Sequence, residues 1–198
     1  MKHYNFSGTD VVQIARDMLG MELFSQTSEG ITSGFIVETE AYAGITDKAS
    51  HAWNGRRTAR TEIMYAQGGT IYVYLCYGIH SLFNVVTNKI DIPDAVLVRA
   101  IKPVTGIELM LKRLKKDRLK ATILYGPGNV TKALGIHFSQ SGMILGKSDS
   151  NGNKIWLEQG LSPIYPTETA VGKRIGVDYA GEDALRPYRF TWKGEISK

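Results

Sequence analysis

Two glutamates and a tyrosine lie close together in VETEAY, residues 37–42. Side chains of a strand alternate between its faces, so Glu38, Glu40 and Tyr42 are predicted to share one face. The Cα atoms of residues two apart on a strand are about 6.5–7 Å from each other, and carboxylates at about that distance would suit the acid and base of an inverting glycosidase. The alternative is that both carboxylates point into water from an edge strand.

Arg99 interrupts the apolar segment AVLVRAI, so its side chain is predicted to lie on a buried face. A buried guanidinium needs a carboxylate partner, and Glu40 or Glu38 is the predicted one. The residues alone fit a structural ion pair as well as a catalytic one. Asn84 raises the same question within the apolar segment SLFNVVTN.

Tyrosines are frequent in the middle of the chain. Tyr72 and Tyr74 are predicted to share a strand face, which by default indicates a buried stripe with satisfied hydroxyls. Tyr77 precedes a glycine at the strand end and is predicted to project outward, as in proteins that stack on or displace bases. His51, in the long segment 43–61, is either a surface or anchoring residue or a polar wall of a pocket.

Basic side chains could contact phosphate in several places. They are Arg56, Arg57, Arg60, Lys132 and one side of a predicted helix at residues 107–114. The segment GPGN, which includes Gly128 and Asn129, precedes a second predicted helix and would offer free N–H groups to a phosphate. Each basic cluster taken alone is more often a solvated surface.

The composition is that of an ordinary globular protein, with 198 residues, 43% hydrophobic and 22% charged. A net charge of +5 permits a polyanionic partner without requiring one. The single cysteine excludes an internal disulfide and a cysteine-rich metal site. Without a signal-peptide pattern or an apolar stretch of about 20 residues, we expect a cytoplasmic or nuclear protein that does not contact a membrane.

The elements that must position these residues follow from periodicity. Helical spacing predicts helices near residues 11–19 and 107–114, and the segment 125–136 is predicted to be a glycine-rich turn that leads into a short helix. Strands are predicted at the segments 21–24, 31–42, 70–78, 81–88, 95–103, KIWLE and YRFTW. Short turns between successive strands favour antiparallel pairing. We predict one α+β domain over residues 1–198, with a predominantly antiparallel, open barrel-like sheet and several peripheral helices.

The order of six segments is more specific than any single motif. They are GFIVETEAYAG, DKASHAWNGRRTAR, GGTIYVYLCYGIHSLFNVV, VLVRAIKP, YGPGNVTKALGI and RIGVDYAGEDALRPYRF. In this order the chain closely resembles the alkyladenine (3-methyladenine) DNA glycosylase family, from about residue 8 to residue 192. The E-T-E-A-Y and Y-V-Y-x-x-Y-G segments carry most of that specificity.

The resemblance implies roles for the reacting groups. Glu40 matches the general base that activates water for attack on C1′ of the damaged nucleotide, and Arg99 matches the arginine that helps to hold that water. Tyr77 matches the side chain that wedges into the duplex where the damaged base has left. Glu38 matches no catalytic position and is expected to have a supporting role.

The resemblance also implies a pocket for the damaged base. Tyr42 matches one wall, His51 with Tyr74 matches the opposite wall, and Ala49 lies in the same pocket. Asn84 matches the residue that disfavours the 2-amino group of guanine. Arg56, Arg57, Gly128, Asn129 and Lys132 are the expected phosphate contacts.

The expected activity is therefore the flipping and hydrolytic removal of alkylated purines from double-stranded DNA, in a monomer that needs neither metal nor organic cofactor. The expected substrates are 3-methyladenine and 7-methylguanine, with hypoxanthine and ethenoadenine left open. In a prokaryote the enzyme would be associated with the nucleoid. Two alternatives stay open on the residues alone, a non-catalytic reader of distorted nucleic acid and a carbohydrate hydrolase built on Glu38 and Glu40.

Overall fold

A computed structural model describes residues 4–8, 10–119, 123–160 and 166–193. Within these ranges the chain forms three α-helices and nine strands. In chain order they are α1 (Val11–Asp17), β1 (Glu22–Thr27), β2 (Gly30–Tyr42), β3 (Ile71–Cys76), β4 (His80–Thr87), β5 (Asp94–Thr105), α2 (Ile107–Leu114), β6 (Leu124–Tyr125), α3 (Pro127–Leu134), β7 (Lys154–Glu158), β8 (Thr169–Gly172) and β9 (Arg189–Trp192).

The strands form one antiparallel sheet in the order β3-β4-β5-β2-β1-β7. Strand β2 pairs with β5 along most of its length, and also with β1 near its start and with β9 near its end. Strand β8 pairs with β9, and β6 pairs with β5. The sheet curls into a half-barrel with helices against it, so the predicted α+β fold with an open, antiparallel core is confirmed.

The core fills the space between the sheet and the helices. Its fully buried side chains include Met18 just after α1, Leu23, Ile36, Phe83, Met110 of α2 and Leu134 of α3. Helix α1 begins after Asp10, whose carboxylate accepts hydrogen bonds from the N–H groups of Val12 and Gln13. Apolar residues at helical spacing therefore identified the correct helices, because each helix buries one face against the sheet.

Three features differ from the sequence prediction. The segment 43–61, in which no helix or strand is predicted, contains 3-10 turns at Gly44–Thr46 and Trp53–Gly55. The strands β6 and β8 were not predicted, because two and four residues are too few for a visible alternation. The strands β1 and β2 also extend beyond the predicted segments 21–24 and 31–42, because their pairing continues to Thr27 opposite Gly30.

Candidate active site

The carboxylate of Glu40 and the guanidinium of Arg99 are brought together by the pairing of β2 with β5, in which Glu40 lies opposite Leu97. Nη1 of Arg99 donates to Oε2 of Glu40 at 3.3 Å. Both side chains are buried, since 0% of the Glu40 side-chain surface and 11% of the Arg99 side-chain surface are exposed. The predicted pairing of Arg99 with Glu40 is thus present in the structure.

Glu40 accepts two further hydrogen bonds. The Tyr42 hydroxyl donates to Oε2 at 2.8 Å, and the backbone N–H of Ile175 donates to Oε1 at 2.8 Å. Its three donors, on Arg99, Tyr42 and Ile175, belong to residues that line a cavity. The carboxylate therefore lies directly behind the cavity wall, screened from solvent by the groups that bind it.

Burial raises the pKa of Glu40 above its ordinary value, because the charged form loses its hydration. The Arg99 charge, the Ile175 N–H and the Tyr42 hydroxyl each act in the opposite direction, and the nearby Glu38 raises the pKa further. Burial outweighs the three donors, so the net shift is upward. The arrangement makes a carboxylate that is a stronger base than a solvated glutamate.

Glu38 lies behind Arg99 and faces a second arginine. Oε1 of Glu38 accepts a hydrogen bond from Arg189 at 2.8 Å, and Oε2 lies 3.8 Å from Nε of Arg99. That Nε–H has no hydrogen-bond partner in the described part of the chain. Two carboxylates thus flank one guanidinium, an arrangement that fixes the plane of Arg99.

A cavity of about 210 Å³ opens in front of this pair. All five residues predicted for a base pocket line it, namely Tyr42, Ala49, His51, Tyr74 and Asn84. Its wall also includes side chains to which the sequence gave no role, among them Met64, Leu82, Val177 and Tyr179. The cavity is mostly aromatic and apolar, as is usual for a site that binds a flat ligand.

One wall is a cluster of three rings. The ring of Tyr74 lies 5.6 Å from that of Tyr72 at an interplanar angle of 29°, and His51 meets Tyr74 edge-on with 4.6 Å between centroids. Nδ1 of His51 lies 2.9 Å from the Tyr72 hydroxyl. Burial, with the charges of Arg60 and Arg56, lowers the pKa of His51 to about 4. His51 is therefore neutral at physiological pH.

The amide of Asn84 is fixed by the backbone. Its Nδ2 donates to the carbonyl oxygens of Tyr72 and Leu82 at 3.1 and 3.2 Å. Both amide hydrogens are thereby used, so the polar group in this apolar strand has a defined orientation. The side chain is 3% exposed and contributes to the cavity wall.

Sequence reasoning missed a buried ion pair next to the cavity. Arg174 donates through Nη1 and Nη2 to the two carboxylate oxygens of Asp47, and the bond from Nη2 to Oδ1 is 2.8 Å long. Both side chains are fully buried. Arg174 also lies over the ring of Tyr42, 4.8 Å from its centroid. Asp47 in turn accepts hydrogen bonds from the N–H groups of Ala43 and Ala49. This pair therefore joins both sides of the cavity.

Tyr77 occupies the turn between β3 and β4. Tyr77 and Gly78 both have positive φ angles, of 51° and 70°, and the Ile79 N–H bonds to the Cys76 carbonyl at 3.1 Å. These are the features of a type I′ hairpin turn. The Tyr77 side chain is 92% exposed at the mouth of the cavity, as predicted from its place before a glycine.

A sequence model of the family described as Methylpurine-DNA glycosylase (MPG) matches residues 5–196. The chain belongs to this family.

Relatives from several bacteria support the assignment. The protein from Chlamydia pneumoniae is 44% identical over 100% of this chain and 97% of its own length. Those from Bacillus licheniformis and Bacillus subtilis are 41% and 40% identical over 96% and 90% of this chain, and over 91% and 86% of their own lengths. Each is provisionally named a 3-methyladenine DNA glycosylase. Membership in the methylpurine-DNA glycosylases identifies the chain as an N-glycosyl hydrolase of DNA base-excision repair.

The expected phosphate contacts of this glycosylase lie in two places. Gly128 and Asn129 are in the first turn of α3, and Lys132 is exposed one turn later. Gly128 packs closely against His80, so a side chain at residue 128 would meet that ring at 3.1 Å. The start of α3 therefore abuts the β3–β4 hairpin, and Pro127 reaches the cavity.

Arg56 and Arg57, which form the second group of expected phosphate contacts, differ in their surroundings. Arg57 is paired with Glu62 at 2.8 Å and with Asp91 at 2.9 Å, so its charge is engaged by two carboxylates. Arg56 makes no ion pair within the described residues. The prediction of a phosphate contact therefore rests more on Arg56 than on Arg57.

No group of three metal-ligating side chains occurs within the described residues. None of the described helices has the length and hydropathy to cross a membrane.

Proposed function

We propose that this glycosylase flips alkylated purines, chiefly 3-methyladenine and 7-methylguanine, out of double-stranded DNA and hydrolyses their N-glycosidic bonds. The chain acts as one domain and leaves an abasic site. The observation that carries the proposal is the buried Glu40–Arg99 pair, in which Nη1 of Arg99 lies 3.3 Å from Oε2 of Glu40. In this member of the family the pair lies directly behind an aromatic cavity.

In the proposed reaction Glu40 takes a proton from a water molecule, and the water oxygen bonds to C1′ of the flipped nucleotide. The C1′–N bond breaks and its electron pair goes to the purine, which leaves as a neutral base if alkylation had made it cationic. Arg99 holds the carboxylate and orients the water. No lysine lies within VETEAY or the tyrosine strand, so water rather than an amine is the nucleophile and the enzyme is monofunctional.

The hydrogen bonds of Glu40 indicate where the water binds. Oε2 accepts from both Tyr42 and Arg99, whereas Oε1 accepts only from the Ile175 N–H. A carboxylate oxygen has two lone pairs, so Oε1 retains one acceptor site beside Ile175. Because Glu40 has no exposed surface in the free protein, this site opens when the wall formed by Tyr42 and Ile175 shifts on nucleotide binding.

The walls of the cavity favour a cationic purine. The electron-rich faces of Tyr42 and Tyr74 attract a cationic ring, and a neutral His51 does not repel it. Hypoxanthine and ethenoadenine are neutral and would need an acid to protonate them as they leave. We identify no such acid among the described residues that line the cavity. Alkylated purines are therefore the proposed main substrates.

The test is release of purine from methylated duplex DNA by purified protein, compared with Glu40→Gln. Loss of a general base is expected to slow release by about 10²–10⁴-fold. A raised pKa means that the ionised carboxylate weakens folding at neutral pH, so Glu40→Gln should have a thermal midpoint no lower than wild type. Near wild-type release by this variant would remove Glu40 from the mechanism.

Binding measured in parallel separates the enzyme from the two alternatives. A reader of distorted DNA would bind lesions equally in both proteins and release no base. A carbohydrate hydrolase would depend equally on Glu38 and Glu40, and its binding would be insensitive to salt. The glycosylase is expected to lose affinity steeply as salt rises, because its cations displace counterions from the phosphates.

A further inference from the structure

A second, wider cleft of about 570 Å³ lies beside the base pocket. Its walls are formed by Lys48, Ser50, His51, Trp53, Arg56, Arg60 and Tyr179. His51 and Tyr179 line both cavities, so they form a shared partition. The proposed hydrolysis of a single flipped nucleotide makes no use of this second space.

The cleft combines cations with exposed aromatic rings. Trp53 and Tyr179 are 45% and 70% exposed, although large aromatic side chains are usually mostly buried. Lys48, Arg56 and Arg60 make no ion pair with any carboxylate in the part of the chain that the structure describes. The neighbouring Arg57, by contrast, is held by two carboxylates. The three cations in the wall of the cleft are therefore free to bind an anionic ligand.

Local backbone geometry presents these side chains together. Trp53 and Arg56 flank a tight turn in which Asn54 and Gly55 have left-handed φ angles of 56° and 73°. The Arg56 N–H closes the turn on the Trp53 carbonyl at 3.2 Å. On the opposite side, the Tyr179 hydroxyl donates to the Ala49 carbonyl at 3.1 Å, which holds its exposed ring in place.

Exposed aromatic faces next to unpaired cations match the chemistry of a nucleotide, whose base stacks on a ring while its phosphate binds arginine or lysine. The shared partition places such a ligand next to the nucleotide in the base pocket. We propose that the cleft binds the nucleotide adjoining the flipped one on the same DNA strand. Its base lies against Trp53 and Tyr179, and its phosphate lies on Lys48, Arg56 and Arg60. This inference rests on the proposed function.

The consequence is a preference that depends on the pairing of the neighbouring base. Taking a second base out of a paired stack costs a few kcal/mol, so in a perfect duplex the cleft contacts only phosphate. When the neighbour is already unpaired, as in single-stranded DNA, the aromatic rings add stacking. The cleft thus makes single-stranded or locally unpaired DNA a substrate class of this enzyme.

The first test measures binding and single-turnover base release for a 7-methylguanine oligonucleotide, single-stranded or in a duplex, with wild type and Trp53→Ala. One aromatic–base stack contributes about 1–3 kcal/mol, so Trp53→Ala should weaken single-strand binding by about 5- to 150-fold and change duplex binding little. Phe138→Ala is the matched control, because Phe138 is 44% exposed and lies outside both cavities. Equal effects on both substrates, or none on the single strand, would overturn the inference.

A second measurement separates the cleft from the chemistry. With Trp156 and Trp192 replaced by phenylalanine, Trp53 becomes the sole tryptophan, and its fluorescence reports stacking directly. An undamaged single-stranded oligonucleotide should quench it, and Lys48→Ala with Arg60→Ala should weaken that quenching. Base release without quenching rejects the cleft and leaves the proposed function intact. Quenching in the single-tryptophan protein, together with no base release by wild type, supports the cleft and rejects the proposed function.

Discussion

The Glu40 site and the Tyr77 hairpin belong to the same sheet and adjoin the same cavity, yet their surroundings are opposite. Glu40 is fully buried and accepts hydrogen bonds from three donors. Tyr77 is 92% exposed. A reacting carboxylate must be held in one geometry at a tuned pKa, whereas a side chain that fills a gap in a duplex must project before DNA arrives.

Each region also has an energetic cost that its proposed role explains. Burial of Glu40 raises its pKa, which means that the ionised form opposes folding at neutral pH. Tyr77 adopts a left-handed φ of 51°, a conformation that costs a residue with a side chain roughly 1–2 kcal/mol more than it costs glycine. Strain of this kind persists in native proteins mainly at functional positions.

The largest effect is expected on stability, from Arg174→Met. This variant removes the cation that joins the two sides of the cavity. It leaves Asp47 as an unpaired buried charge, so we expect the free energy of unfolding to fall by about 3–5 kcal/mol. Urea denaturation followed by circular dichroism measures this loss. Arg57→Met is the control for an exposed ion pair and should change unfolding little. A loss for Arg174→Met as small as the one expected for Arg57→Met would mean that the Asp47 pair does not stabilise the pocket.

A smaller effect is expected from Tyr77→Ala, and on function alone. Loss of one stacked ring should weaken binding to a lesion duplex by about 1–3 kcal/mol, or about 5- to 150-fold, in a titration at fixed salt. The free energy of unfolding should be unchanged or slightly higher in the variant, because the ring has almost no buried surface. A variant that unfolds would instead show that Tyr77 stabilises the hairpin and is no wedge.

The smallest effect is expected on the salt dependence of DNA binding, from substitution of Arg56 or Arg57. Arg56→Gln is expected to lower the slope of log affinity against log salt by about one, because an unpaired cation that binds phosphate releases one counterion. Arg57→Gln should leave the slope nearly unchanged, since two carboxylates already neutralise that side chain. Equal slope changes for the two variants would show that Arg57 exchanges its partners for phosphate on binding.

Much of this could be predicted from sequence, because local pattern determines it. The alternation in VETEAY and AVLVRAI placed Glu40 and Arg99 on the same buried face of the sheet, and the Tyr-Gly turn placed Tyr77 outside. The resemblance then brought His51, Tyr74 and Asn84 to one cavity, and the structure assembles them there. These positions depend on strand register, which a hydrophobic pattern specifies well.

The contacts that close the pocket could not be predicted in this way. Asp47 and Arg174 are 127 residues apart, and neither lies in a periodic segment. The Ile175 N–H that binds Glu40 is a backbone group, so no residue type marks it in the sequence. Only the Arg-Ile-Gly-Val order within the family resemblance indicated that this segment matters, and it gave no role to any residue. The upward net shift of the Glu40 pKa likewise depends on the extent of burial.

The central claim is that ionised Glu40 is the base, and the pH dependence of base release tests it most directly. At enzyme concentrations below saturation, the release rate from a methylated duplex reports the pKa of the free enzyme. Wild type should show a rate that falls as pH decreases through a pKa above the ordinary value of 4.5, and Glu40→Gln should lack that limb. A wild-type rate that stays constant down to about the ordinary glutamate pKa, or the same limb in Glu40→Gln, would contradict the account.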